Sequence, residues 1–555
     1  MRIHSSVFSL FSVFVLVLTL GGCMGGGGGS SGSDTVAPTV SAVTPAKGAS
    51  NAAPGSDLRV TFSEAMDCAS LDAGSFKVSD AGSTPIQGSI TCSGSSATFA
   101  SVFGGLPEGA TVNATITTSA SDAAGNALAA DYHWSFTTRA RAWSTADLVL
   151  QGSDGIDPPL VRYDGHGNAF AVWRDNGVSV KVSRFTASGG WTTTNVSGIT
   201  DLLDGARLYV APSGNAVVAW YQRDVDGNYQ VWSSTYSVTT GAWAPSTTLI
   251  DNPADGGSTG YIGLAGDADG NAMVVWERDY ATPATKVLAA YYNGSSWSAA
   301  TVVDDALTAN AWGDPAVAFV GNEAVALWEQ SDGINDKLWY SRYTPGSGWV
   351  SATVVDTGSQ VPMDVRLAAA PDGQMMAVWQ ENGGSGFGAN HYDAGSGNWG
   401  TPSALEATTN GIGSYDLAMN AAGNVLVVWV ESDGTADRIW FRAYDAARDT
   451  WGFAAAIDND LSSVSNPHLA MDPQGNAVAT WEYYDATDGV TSVAARRYVG
   501  GAWAAGANPV TRLETNPNDA YNHGIGMDNR GNAMAVWRTI NGVSGKDDLR
   551  WSVLQ

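Results

Sequence analysis

Carboxylates are the residues of this chain whose type and spacing first suggest chemistry. An acid recurs at Asp251, Asp304, Asp356, Glu406, Asp458 and Glu514, in steps of 50 to 56 residues. A second set, Asp175, Glu277, Glu329, Glu431 and Glu482, follows a recurring tryptophan by one or two residues. Carboxylates closer than about one Debye length (~8 Å at physiological salt) repel unless cations or backbone donors answer them. Two readings follow. Either each acid caps its own loop through backbone N–H groups, or the first set forms a ring that binds Ca²⁺ or a basic partner. Asp224/Asp226 and Asp267/Asp269 lie in Asp-rich turns that offer further Ca²⁺ ligands, but neither carries the twelve-residue EF-hand set, and turn chemistry accounts for them.

Other reactive types give less. GGSTG at Gly256–Gly260 spells G-x-S-x-G, yet that motif needs a strand before and a helix after the serine. Here a Pro/Asp/Gly loop precedes it and a strand follows. The six histidines (His4, His133, His166, His391, His468, His523) are scattered, with no HExxH or CxxC pair for zinc. No catalytic residue is assigned.

The elements that position these groups are read from a phrase. GNAFAVW at Gly167–Trp173 returns as GNAVVAW, GNAMVVW, GNVLVVW, GNAVATW and GNAMAVW, and more loosely as NEAVALW and GQMMAVW. The eight closing tryptophans, Trp173, Trp220, Trp276, Trp328, Trp379, Trp429, Trp481 and Trp537, span 364 residues in seven steps, a mean of 52. Each unit reads as four strands: A ("YIGLAGD"), B ("NAMVVW"), C ("KLWYSRY", "RIWFRAY") and D, which opens on a second tryptophan ("SSWSAATVV"). Four short strands per ~50 residues make a propeller blade. Gly270 sits where the A–B hairpin needs positive φ, with Asn322 in that place in the fourth unit. Strand B is apolar on both faces, as a strand sandwiched between blades should be, and its tryptophan is expected to cover the next blade. The phrase is thus a folding device.

The strand-D tryptophans are Trp191, Trp243, Trp297, Trp349, Trp399, Trp451 and Trp503, one short of eight. The missing one is Trp143, at the start of the region. The segment from Trp143 to Leu150 is therefore expected to supply the outer strand of the last blade and close an eight-bladed ring over 143–555. On strand C, Trp232, Trp339, Trp440 and Trp551 are read as blade core rather than sugar platforms.

Residues 37–138 show period-2 alternation with turn signals every 8–12 residues, an all-β sandwich pattern. Cys68 and Cys92 are an even pair, read as a disulfide worth roughly 3 kcal/mol, with two free buried thiols as the alternative. Ahead of the sandwich, 23–36 is a Gly/Ser tether. Residues 1–22 carry Arg2, His4 and an apolar run from Val7 to Leu20, which reads as a cleaved signal peptide. No later apolar run approaches the ~20 residues that span a bilayer. Charge bounds the partners: 27 Lys and Arg against 54 Asp and Glu give −27, which counts against nucleic acid.

Three resemblances add expectations. Leu20-Gly21-Gly22-Cys23 resembles a bacterial lipobox, which implies a lipidated Cys23 and, with Met24 rather than Asp following, the outer membrane. APTVSAVTPAKG, LRVTFSEAMD and SDAAGNALAADYHWSFTT resemble the bacterial Ig-like domains of S-layer and surface lipoproteins, which usually act as spacers. The repeat resembles sialidase-like and lectin-like propellers in layout, but S-x-D-x-G-x-x-W is replaced by turns such as DADGNAMVVW and no arginine triad can be placed. The expected protein is all-β: a membrane-anchored, non-enzymatic binding or adhesion protein presenting its propeller to a glycan, polymer or envelope protein. A carbohydrate-active enzyme and a structural envelope component are the alternatives. An enzyme should show one asymmetric constellation in a few blades; a multivalent lectin should repeat its site.

Overall fold

The computed structural model describes residues 34–555 except 102–104, 198–204, 224–226, 246, 252–256, 280–284, 304–310, 357–359, 383, 385, 408–409, 460, 462, 506–509, 515–517 and 542–543, and except the side chain of residue 312. Cys23, Asp304 and the Asp224/Asp226 turn lie outside the described residues. No helix among the described residues is long and apolar enough to cross a membrane.

Seven strands form the N-terminal sandwich. Val40–Thr44, Leu58–Phe62, Ser96–Ser101 and Gly88–Ser93 make one sheet in that spatial order; Phe76–Asp80, Thr111–Ile116 and Tyr132–Thr137 make the other. The alternation seen in the sequence points Leu58, Val60, Phe76, Phe99, Val112, Trp134 and Phe136 into one core. Cys68 and Cys92 form a disulfide across 24 residues of chain.

Eight antiparallel sheets follow, one per repeat, numbered here as blades 1 to 8. The inner A strands are Leu160–Tyr163, Arg207–Val210, Ser258–Gly266, Ala311–Val320, Pro362–Ala369, Ile412–Met419, Ser465–Met471 and Ala520–Met527. Each touches the A strand of the following blade, and Ala520–Met527 touches Leu160–Tyr163, so the ring is closed. The outer strand of blade 8 comes from Asp147–Ser153, which pairs with strand C at Asp547–Leu554, and Trp143 bridges Leu554. The N-terminal end of the repeat region thus completes the last blade, so no strand edge is left open at the junction.

All eight phrase tryptophans are 0–1 % exposed. Each packs on the preceding blade rather than the next. Trp220 lies among Phe170, Val172 and Val182 of blade 1, and Trp173 among Met534, Val536 and Leu549 of blade 8. Strand parity is the cause: residues of the tryptophan's parity, such as Val274, face backwards, while Met273 and Val275 face the following blade.

The A–B turns explain the GN dipeptide. Asp164 Oδ1 accepts from His166 N (2.8 Å) and Asn168 N (2.9 Å), and its Oδ2 accepts from Asn168 Nδ2 (2.7 Å). Asp267, Asp472 and Asp528 repeat this bonding, so the Asp267 oxygens are occupied by their own turn. Gly270 has φ +94° as expected, but in blade 4 the positive φ falls on Gly321 and not Asn322, because that hairpin is one residue shorter. Strand D also differs from expectation. In blades 2 and 4 to 7 it pairs as two dipeptides, such as Gly348–Trp349 and Thr353–Val354; blade 1 has an outer strand, Gly190–Asn195, paired residue for residue along strand C Ser179–Thr186, while that of blade 8 pairs with register shifts.

The sandwich is clamped to the ring rather than hanging from a free linker. The buried Arg141 side chain donates to Gly531 O (2.7 Å) and to Arg530 O, Arg497 pairs with Glu108, and Arg530 donates to Gly55 O (3.0 Å). The Arg139–Ala142 stretch is therefore part of an interface.

Candidate functional site

Register decides which inner-strand residues share a level of the central channel. In every blade one residue of strand A pairs with the residue just before the phrase tryptophan. These are Leu160, Arg207, Gly263, Ala316, Arg366, Asp416, His468 and Gly524. Two residues nearer the A–B turn, the next level holds Arg162, Tyr209, Ala265, Ala318, Ala368, Ala418, Ala470 and Gly526. Small residues at most of the second level leave room for the Arg162 side chain. Together these two levels carry three guanidiniums against one carboxylate, the opposite sign to the chain as a whole.

A cavity of about 380 Å³ opens here, lined by Arg162, Arg366, Asp416 and His468 among others. Arg162 is exposed and the Arg366 side chain keeps 38 % of its surface accessible, so water reaches both from inside the ring. Asp416 organises the level. It accepts from Arg366 Nη1 (3.2 Å), Leu417 N (2.9 Å) and Leu469 N (2.9 Å), and stands 3.7 Å from His468 Nδ1. Burial pushes its carboxyl up, but His468 and Arg366 outweigh burial and hold it below the usual carboxylate range. Across the channel, Asp416 attracts Arg162 while Arg207 repels it. Arg366 also stacks over the Tyr415 ring at 4.9 Å.

Two histidines that are far apart in sequence meet. The His468 and His523 rings are 4.8 Å apart and nearly perpendicular, and His523 Nδ1 is 3.6 Å from Glu482. Burial pushes His523 down against the pull of that carboxylate. Beyond them lies an acidic arc. Burial, then Asp279 and Asp314, raise Glu277 to about 7; burial, then Asp314, Asp364 and Glu277, raise Glu329 to about 9. Glu329 is 2 % exposed and its Oε1 has no hydrogen-bond partner among the described residues.

Among the described residues, the regularly spaced acids Asp251, Asp356, Glu406, Asp458 and Glu514 form no three-ligand cluster. Asp251, just after the outer strand of blade 2, accepts from Arg278 Nη1 and the Thr259 hydroxyl of blade 3, both at 2.6 Å. Asp458 accepts from Arg438 (3.1 Å) and Ile439 N (3.3 Å), and Glu514 from Trp537 Nε1 (2.9 Å). Asp356 is buried and Glu406 half-buried. In the second set, Asp175 pairs with Lys181 (2.5 Å), Glu431 accepts from Trp429 Nε1 (2.7 Å) and Ala407 N (2.9 Å), and Glu482 from Asn522 N (2.8 Å). Their donors are side chains as much as backbone. Ser258 of GGSTG opens an inner strand, with no helix after it. Trp339 and Trp440 each bond a strand-B carbonyl, and Trp551 packs on Phe185. Among the described residues, three potential metal-ligand atoms come together only at Asp34, Glu64 and Asp122, in the sandwich.

The channel residues do not stand out in the sequence, because they differ from blade to blade while the recurring acids lie at strand ends. A signal exists: Arg207, Arg366, Asp416 and His468 each stand thirteen residues before a phrase tryptophan.

Comparison with known proteins adds the following. Residues 34–138 match the family model of the bacterial Ig-like domain. No curated protein sequence matches the chain. Among solved structures, one similar to it is a protein of unknown function from Dyadobacter fermentans (10 % identity, 75 % of this chain and 99 % of that one, TM-score 0.36). Others are the intramolecular trans-sialidase from Ruminococcus gnavus (11 %, 64 % and 94 %, 0.36) and a family PL25 ulvan lyase (8 %, 72 % and 94 %, 0.42).

Proposed function

We infer that the protein is a binding protein of the cell envelope whose central channel takes an anionic segment of a glycan or other polymer. The observation that supports this is the cationic character of the cluster of Arg162, Arg207 and Arg366 around Asp416 and His468; because it occurs once in the ring it fits one bound chain rather than a multivalent lectin, and that asymmetry equally suits the enzyme reading below. Guanidiniums present planar paired donors to carboxylate or sulfate oxygens, and a water-reached channel admits a narrow charged chain. Asp416 holds Arg366 in place and keeps the pocket from being uniformly cationic. Acyl chains on Cys23 would tether the molecule to the outer membrane, and fatty-acid labelling of wild type but not Cys23→Ala is the expected result. To test binding, polygalacturonate, dextran sulfate and neutral dextran are titrated against wild type and the Arg162→Ala/Arg366→Ala variant. Salt-sensitive binding of a polyanion, lost in the variant, is expected. Polyanion binding that the variant retains would overturn the reading.

The Asp416–His468 pair favours a second reading. An imidazole beside an orienting carboxylate, with guanidiniums nearby, is the equipment for abstracting a proton next to a sugar carboxylate. New reducing ends and ultraviolet absorbance of an unsaturated uronate, both abolished by His468→Ala, would make the protein a polysaccharide lyase.

A further inference from the structure

We propose a second saccharide site, on the outside of the ring in the seam between blades 1 and 2, independent of the channel. At four seams, the strand-C residue that precedes an aromatic meets the strand-C tyrosine of the following blade. Most such meetings are self-satisfied. Tyr291 packs on Tyr343 at 5.4 Å, Arg342 donates to Tyr392 Oη (2.8 Å) while paired with Glu323, and His391 bonds Tyr444 Oη (2.9 Å). At blades 1 and 2 the residue is Arg184. Its guanidinium lies 5.6 Å from both the Phe170 and Tyr236 rings, with no carboxylate in ion-pair range among the described residues and with its buried Nε unpartnered.

The seam opens into a cavity of about 780 Å³. One wall comes from the continuous outer strand of blade 1. Because that strand pairs without a break, Thr192 and Thr194 project to the same side and both line the cavity with Asn195, while Thr193 turns away to Ser183 (3.0 Å). The opposite wall is Trp243, half-buried, with Tyr236 behind it at 5.5 Å. An aromatic face, two hydroxyls, an amide and a guanidinium without a carboxylate partner among the described residues suit one ligand class. A pyranose can lay its C–H face on the indole and direct its hydroxyls to Thr192, Thr194, Asn195 and Arg184. Blades 2 to 7 lack this wall because their outer strands are interrupted or shorter, and in blade 8 the outer strand Asp147–Ser153 pairs with register shifts.

The test titrates the full chain with xylotetraose, cellotetraose, chitotetraose and mannotetraose by calorimetry, and maps hydrogen exchange with the tetraose that binds best. At least one tetraose should bind. It should protect amides at 190–195 and 242–243 and leave the inner strands of blades 5 to 7 unchanged. Trp243→Ala should weaken it about tenfold or more, through lost stacking. Because that variant also removes packing, Thr192→Val/Thr194→Val, which keeps shape and deletes only the hydroxyls, serves beside it and should weaken binding by about tenfold. Absence of binding by all four probes, protection confined to the inner strands, or affinity unchanged in the double threonine variant would each overturn the proposal.

Discussion

Two positions occur once in every blade and have opposite fates. The phrase tryptophan is the same residue eight times, dry, and packed on the blade before it. The channel residue twelve or thirteen positions earlier runs Leu, Arg, Gly, Ala, Arg, Asp, His, Gly around the ring. Both are set by the same hairpin register. The tryptophan must fill one repeated gap between sheets, and that gap tolerates little change in volume. The channel position is polar in four blades, where its chemistry depends on its neighbours around the ring, whereas at Gly263 and Gly524 a Cβ would stand 2.6 Å from Pro315 O and closer still to Pro159 O, so close blade contact sets the residue there. Sameness marks the scaffold here, and difference marks the site.

That contrast can be broken at several strengths. Deleting residues 1–150 should have the largest effect, because it removes Trp143 and much of the outer strand of blade 8 and exposes strand C. Size-exclusion chromatography should show association and a lower Tm. Deleting 1–138 should leave a monomeric ring, although Arg497 and Arg530 then lose Glu108 and Gly55. Equal behaviour of the two truncations would contradict ring closure by this segment.

Next is Trp429→Ala, a fully buried seam residue, expected to cost about 3–5 kcal/mol in chemical denaturation. Asp416→Asn, in the channel, should cost less, about 1–3 kcal/mol at neutral pH, as a hydrogen-bonded charge is lost. The pH dependence separates them. The folded-state pKa of Asp416 is depressed, so its contribution is present above the unfolded value near 3.9 and is lost as pH falls through the folded one. Asp416→Asn should flatten the acid limb of the Tm profile; Trp429→Ala should shift the whole profile without changing its shape.

Glu329 should act with the opposite sign, and only at high pH. Its folded pKa is raised to about 9, so stability present below the unfolded value is lost as pH rises towards 9. Glu329→Gln should match wild type near pH 5 and exceed it in Tm near pH 9. Coincident profiles would show that the acidic arc carries no such penalty.

Much of the fold was legible because it is local and repeated. The GN hairpin, the two-faced strand B and the lone Trp143 specify blade, blade count and closure from pattern alone. Details that depend on contact were not. Which neighbour the tryptophan covers is a matter of strand parity relative to the ring's direction, and the positive φ at Gly321 follows from a hairpin one residue shorter. The acids were legible as a spacing, but their partners were not: Asp251 finds Arg278 and Glu514 finds Trp537 only once the strands are paired.

By itself the sequence determined eight blades and a sandwich ahead of them, since each rests on periodicity; it left Cys68 and Cys92 as either a disulfide or two thiols, and the folded sandwich decided for the disulfide. Tertiary structure alone decided the site. Arg162, Arg366, Asp416 and His468 come from four different blades, as many as 306 residues apart, and nothing local relates a residue on one inner strand to one across the ring. Closing the ring brings them to one wet channel, where the desolvation and opposed charges that define their chemistry first exist.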